Sequence, residues 1–271
     1  KKGSVLIMKI KRNQKIERTS KKQGPNGTPV KAAPKPKMGT QIIPKERYTS
    51  RDYMQQEWDK LWTKVWLLAC REEDLPEPGD HYVTEIGVES ILLVRQKDMS
   101  IRAFYNVCQH RGNKLVHSFE QPQEAAQSFK CKYHDWEYGL DGGFVDIPDL
   151  ETFPQGAPDC SGLTSLPCDS WGSFVWFSLN PDVEPLKDYL GIIPEHLNPY
   201  HFERMVLTKT LTVEWDCNWK ASVDAFNESY HVQGIHPQLL YYLDDKDIQI
   251  DCYEKHNRYL IAFSVLSPRV I

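Results

Sequence analysis

The spacing of apolar and polar positions along the chain changes near Trp66. Ahead of that point, Thr49-Ser50 offers a helix cap, and Asp52, Tyr53, Glu57, Leu61 and Trp62 fit an amphipathic helix. After it, short β-rich runs follow at close intervals, over residues 65–69, 82–86, 91–95 and 101–107, separated by Pro78-Gly79 and charged turns. This spacing predicts a small antiparallel β domain. Asp141-Gly142-Gly143, between runs at 136–140 and 144–147, is a hairpin signal, and residues 163–179 supply further short strands. Residues 181–199 are punctuated by proline and predict a connection with one or two helical turns, which puts a domain boundary near Asn180. Beyond it, 205–215 reads as a long strand, 218–231 as a helix and 259–265 as another strand, so the second unit is mixed. The expected class is α+β, with no internal repeat.

Residues 1–45 are rich in Lys, Arg, Pro, Gly and Gln and carry no apolar period, so they are expected to form a mobile basic tail. The segment 4–10 is too short and too interrupted by lysine for a signal-peptide core. That leaves 46–180 as a helix plus β domain and 181–271 as the second unit. Apolar residues make up 40% and charged residues 26% of the chain, the net charge is −4, and no apolar run approaches a membrane span. Neither a nucleic-acid surface nor a membrane surface is implied. Seven cysteines, at 70, 108, 131, 160, 168, 217 and 252, are odd in number and widely spread, which suits a reducing compartment; a cytoplasmic location is expected.

Two of those cysteines sit in a pattern with its own chemistry. Cys108-Gln-His110 and Cys131-Lys-Tyr-His134 place a thiolate and an imidazole on each of two loops, and both loops adjoin expected strands. A Cys₂His₂ set suits a tetrahedral zinc ion, or a two-iron cluster with two Cys on one iron and two His on the other. Zinc sites usually group Cys with Cys and His with His, whereas each pair here is mixed, which favours iron. His117 has no place in either pair and reads as an ordinary histidine. The remaining cysteines read as free thiols, mostly buried.

The flanking residues, Cys108-Gln-His110-Arg111-Gly112 and Cys131-Lys-Tyr-His134-Asp-Trp136-Glu-Tyr-Gly139-Leu-Asp141-Gly142, resemble the two ligand boxes of Rieske non-heme iron oxygenase large (α) subunits, the aromatic-ring-hydroxylating dioxygenase and Rieske monooxygenase family. The resemblance implies a Rieske [2Fe-2S] domain on Cys108, His110, Cys131 and His134. Gln109, Lys132 and Asp135 depart from the usual Cys-Pro-His-Arg-Gly and Cys-Pro-Tyr-His-Gly-Trp boxes, and an insertion is expected over 120–127. In the respiratory branch of Rieske proteins an extra Cys in each box forms a disulfide; Asn113 and Tyr133 stand at those positions, so no such bridge forms. With few hydrogen bonds to the sulfurs, the expected potential is low, about −150 mV.

A second constellation follows in Asn218-Trp219-Lys220…Asp224…Glu228-Ser229-Tyr230-His231…His236-Pro237. Its two imidazoles are five residues apart, and Gly234 lets the chain bend between them. Taken alone this is a weak metal signal, and polar histidines at a helix end, with Trp219 and Tyr230 as core aromatics, would explain it. After a Rieske-like cluster it resembles the mononuclear-iron stretch of the same family, in a partial α+β helix-grip catalytic domain. There His231 and His236 match the two histidines of a 2-His-1-carboxylate Fe(II) site. Glu228 matches the bridging acid that links this iron to a neighbouring subunit's cluster histidine, and Glu at this position is similar to the carnitine and choline monooxygenase branch. The family's third ligand, an Asp, lies far downstream of the second His and has no match before Ile271. Asp244, Asp245, Asp247 and Asp251 fall in a polar stretch that reads as a surface loop, and the apolar run 259–265 has no partner strand after it. A truncated gene product is therefore expected.

The resemblance implies a terminal oxygenase. Electrons would come from NAD(P)H through a flavin reductase and/or ferredoxin to the cluster and then to Fe(II), where O₂ would oxidise an aromatic or other small organic substrate. The assembly it implies is a homotrimer or α3β3. An electron carrier or fragment that holds only the cluster, and a zinc-stabilised interaction module, are the alternatives.

Overall fold

In the computed structural model, described residues are 39–117, 125–156, 159 and 161–270. Most of the basic tail, most of the expected insertion and Cys160 lie outside them. Two compact units are distinguished, one of Gln41–Asn218 and one containing Trp219–Ile271. No helix among the described residues is long and apolar enough to cross a membrane.

The first unit opens with α1 (Glu46–Thr49) and α2 (Arg51–Glu57). The Ser50 hydroxyl caps α2 by accepting from the Tyr53 N–H at 3.2 Å, and a π-turn over Trp58–Trp62 prolongs it. Ten strands follow: β1 (Trp66–Arg71), β2 (His81–Ile86), β3 (Glu89–Arg95), β4 (Ile101–Tyr105), β5 (Ser128–Lys130), β6 (Glu137–Gly139), β7 (Phe144–Asp146), β8 (Ser165–Leu166), β9 (Cys168–Trp171) and β10 (Phe174–Ser178). They form three antiparallel sheets, in the orders β2-β3-β4-β8, β1-β10-β9 and β5-β6-β7.

The unbroken apolar run in β3 has a simple cause. Leu92 and Val94 point into one core, with Phe104, Cys108, Cys131, Trp136 and Tyr138, while Ile91 and Leu93 point into another, with Ala103, Val175 and Phe177. A strand buried on both faces loses its polar alternation. The first of these cores underlies the ligand loops. The hairpin at Asp141-Gly142-Gly143 forms as expected. Gly142 has φ +83°, and a Cβ there would lie 2.6 Å from the Phe104 ring, so glycine is required both by conformation and by space. The proline-rich connection carries α3 (Leu186–Leu190) and α4 (Ile193–Leu197); Leu186 and Leu190 pack on Trp66, whose indole N–H donates to the Glu184 carbonyl at 2.8 Å.

Residues 205–215 do not form the expected strand. They are exposed along their length, and no ladder partner is found for them among the described residues. β-propensity without a partner does not by itself make a strand.

The second unit holds α5 (Trp219–Phe226), α6 (Val232–Ile235) and the antiparallel pair β11 (Leu243–Cys252) and β12 (Asn257–Phe263), around a small core of Val232, Leu240, Leu243 and Ile261. The helix expected over 218–231 stops at Phe226. There the Asn227 amide turns back to the Val223 carbonyl at 2.8 Å, and the Glu228 carboxylate takes the N–H groups of Tyr230 and His231. Side chains have replaced the helical ladder. The polar stretch 244–251 is likewise a strand rather than a loop, and it supplies β12 with a partner that precedes it. Burying its acids is tolerable because Asp251 pairs with Arg258 at 2.7 Å and Asp245 pairs with Arg269.

Candidate cluster loops and candidate metal pair

The two Cys-His loops are built alike. The Cys108 N–H donates to the Asn113 carbonyl at 2.8 Å and the Gly112 N–H to the Cys108 carbonyl at 2.9 Å; the Cys131 N–H donates to the Trp136 carbonyl at 2.8 Å and the Asp135 N–H to the Cys131 carbonyl at 2.9 Å. In both loops the residue four places after the Cys is left-handed, Gly112 with φ +71° and Asp135 with φ +59°. Each loop thus turns tightly enough for its histidine to fold back beside its cysteine.

The side chains group like with like. Cys108 and Cys131 are buried in the same core and each shifts the ionisation of the other, and the rings of His110 and His134 are 4.5 Å apart. Trp136 stacks on His110 at 4.8 Å with the planes 9° apart, and the exposed Tyr133 ring lies 3.8 Å from His134. Among the described residues no three His, Cys, Asp or Glu side chains gather as one ion would need. A tetrahedral zinc takes all four ligands at one point, whereas a two-iron cluster takes them two and two. The pairing fits the cluster. So does His110 Nδ1, a buried nitrogen with no hydrogen-bond partner.

Burial works against ionising either thiol and keeps Cys108 above its ordinary value. At Cys131 the same penalty is outweighed by the backbone N–H groups of Tyr133 and His134, together with the Cys108 and Asn113 side chains, and the thiol falls below its ordinary value. Burial, then the neighbouring His134 and Arg111, lowers His110, which favours the neutral ring that a metal binds.

Three supporting residues had no role assigned to them from sequence. The fully buried Tyr138 has its hydroxyl 3.2 Å from Cys108 Sγ and accepts the Gln109 N–H at 3.0 Å. Asn113 reaches Cys131 Sγ at 3.8 Å. Each sulfur therefore has a side-chain hydrogen-bond partner, and hydrogen bonds to cluster sulfurs are among the terms that set the potential of such a site. Asn106, buried at 1% exposure, donates to Ser90 Oγ at 3.0 Å and the Val116 carbonyl at 2.6 Å and accepts from the N–H groups of Leu115 and Val116, which fixes the chain leaving the first loop. The ligand boxes contain Tyr138 and adjoin Asn113, but nothing in the periodicity marks Asn106.

Of the other cysteines, Cys70 is buried and Cys168 partly so; burial pushes both up to about 12. Cys217 and Cys252 are exposed, against the expectation of burial.

In the second unit Glu228, His231 and His236 come together. His231 Nδ1 is hydrogen-bonded to Glu228 Oε1, the His231 N–H donates to Oε2 at 3.2 Å, and the His231 and His236 rings are 5.5 Å apart at 78°. Burial opposes ionisation of Glu228, but the hydrogen bonds from the His231 ring and from the backbone of His231 and Tyr230 prevail and hold its carboxyl below the usual range. With Nδ1 engaged, Nε2 is left as the metal-binding atom. Among the described residues no carboxylate joins the two rings as a third ligand to one ion. Asp245 and Asp251 are committed to arginines, and Asp244 caps the backbone N–H groups of Lys246 and Asp247 at 3.1 Å. Trp219 and Tyr230 are exposed rather than core residues.

Residues 65–166 match the family model of the Rieske [2Fe-2S] domain, and residues 202–265 match that of the ring hydroxylating alpha subunit catalytic domain. The carnitine monooxygenase oxygenase subunit of Escherichia coli (strain K12) is 28% identical over 230 residues, 83% of this chain and 59% of that protein. The large oxygenase component of the naphthalene 1,2-dioxygenase system of Pseudomonas aeruginosa is 33% identical over 198 residues, 70% of this chain and 43% of that one. Among solved structures, a quaternary ammonium Rieske monooxygenase superposes with a TM-score of 0.73 at 26% identity, over 80% of this chain and 59% of that one. The chain thus spans about three-fifths of the length of the carnitine relative.

Proposed function

We propose that this chain, which belongs with the Rieske oxygenase large subunits and joins a Rieske [2Fe-2S] domain to part of a ring-hydroxylating catalytic domain, is the terminal oxygenase component of a Rieske-type mono- or dioxygenase. The observation that carries this reading is the two-and-two pairing of Cys108 with Cys131 and His110 with His134, followed in the same chain by the Glu228–His231–His236 group. When bound, the cluster supplies single electrons and the mononuclear iron supplies O₂ activation.

The chain's own residues prepare both sites. The two thiols bind as thiolates, and the backbone N–H groups around Cys131 lower the cost of holding that charge. Trp136 and Tyr133 fix the planes of the two cluster histidines. Glu228 holds the His231 Nδ1 proton, which orients the ring and makes it a better ligand. We assign the same carboxylate the bridging role toward a neighbouring subunit's cluster histidine. The partners that fit are a ferredoxin and/or flavin reductase fed by NAD(P)H, a small organic substrate and O₂, in a homotrimer or α3β3 assembly. The cysteine usage supports a cytoplasmic setting.

Anaerobically purified protein tests this reading. Reduced protein is expected to give the EPR signal of a [2Fe-2S] cluster with two histidine ligands, and metal analysis about three irons per chain. About two irons with the same signal would leave a cluster-only electron carrier. Zinc without an EPR signal would overturn both.

A further inference from the structure

The turn that carries Glu228 and His231 is anchored from beneath by a buried polar network outside the ligand set. Ser229, 2% exposed, donates its hydroxyl to the Asp245 carbonyl of β11 at 2.8 Å. The Asp245 side chain is itself clamped, with Ser267 donating to one carboxylate oxygen and Arg269 to the other. Ser229 adjoins the carboxylate that orients His231 and lies two residues from the ring, so a shift of its anchor is passed directly to the imidazole. The buried carbonyl of Asp245 is fixed in turn, because its residue is locked from the side-chain end as well.

We propose that Ser229 is a positioning residue for the metal site: by tying the Glu228–His231 turn to the arginine-clamped Asp245, it sets where the His231 ring points. The role rests on the reading of His231 and His236 as metal ligands. Supporting groups around a metal ligand typically matter about 10–100-fold in metal affinity. A hydroxyl acting through one backbone bond belongs at the lower end of that range.

The test uses the full chain with its cluster intact, its mononuclear site cleared of iron, and Co(II) as an optical probe. In the parent, Co(II) uptake is expected to depend on His231, so His231→Ala abolishes it. Ser229→Ala is expected to weaken Co(II) binding about tenfold and to speed hydrogen exchange at the Tyr230 and His231 amides, with exchange along β11 and β12 unchanged. Ser229→Thr, which keeps the hydroxyl, restores both. A parent indifferent to His231→Ala would overturn the metal reading, and the positioning role with it. A His231-dependent parent whose affinity is unmoved by Ser229→Ala would overturn the positioning role alone, whether or not exchange quickens.

Discussion

Asp135 holds a left-handed conformation at the place where the first ligand loop has Gly112, and the backbone hydrogen bonds of the two loops are otherwise the same. An aspartate tolerates that region at modest cost, while a β-branched residue does not. Asp135→Gly is therefore expected to leave stability unchanged or slightly raised, and Asp135→Val to lower it by about 1–2 kcal/mol in urea unfolding. Equal losses in the two variants would point to a carboxylate contact rather than to the backbone. Tyr138→Phe removes the hydroxyl beside Cys108 Sγ and is expected to lower the cluster potential by on the order of 50 mV, read by redox titration, because the reduced cluster carries more negative charge on its sulfurs. At this scale the two Cys-His pairs were legible as a unit, since thiolate and imidazole are rare side chains and their spacing carries meaning. Asn106 was not: one buried amide satisfying four partners leaves no periodic trace.

The strands of the first unit could be read because most are short, carry apolar positions and are bounded by turn residues, and β3 shows what that reading is worth in energy. Leu92 faces the core under the ligand loops, and Leu93 faces the opposite one. Either change to alanine is expected to cost about 2–5 kcal/mol in urea unfolding, but only Leu92→Ala is expected to speed bleaching of the cluster absorbance under mild denaturant. Equal bleaching would mean that the two cores unfold as one. The elements of the second unit were harder to read, since their limits depend on side chains that meet across distance. α5 ends where Asn227 and Glu228 capture backbone groups, and β11 is a strand because Arg258 and Arg269 neutralise its acids. The Asp245 carboxyl shows the balance: burial would raise it, but Ser267 and Arg269 outweigh burial and hold it below its ordinary value. A lowered folded value means that the stabilisation is complete above the ordinary carboxylate range and is lost as pH falls through the folded value. Urea stability of the Trp219–Ile271 unit is expected to decline on acidification in the parent and to vary less in Asp245→Asn.

At the scale of the whole molecule, a Rieske domain followed by an α+β catalytic portion was legible from two motifs and a change of period. The grouping of the connection was not, because it rests on Trp66, Leu186 and Leu190, which are far apart in sequence. Between the last strand of the first unit and α5 runs the exposed stretch 205–215, with Met205, Leu207, Leu211, Val213 and Trp215 at alternate positions. It is exposed and has no strand partner among the described residues, so a protease active site can reach it. Beyond the basic tail, brief trypsin treatment is therefore expected to cut first at Arg204 or Lys209, both exposed, and the products can be told apart by eye. The brown colour would travel with the amino-terminal piece, and His231 and His236 would leave with a colourless one.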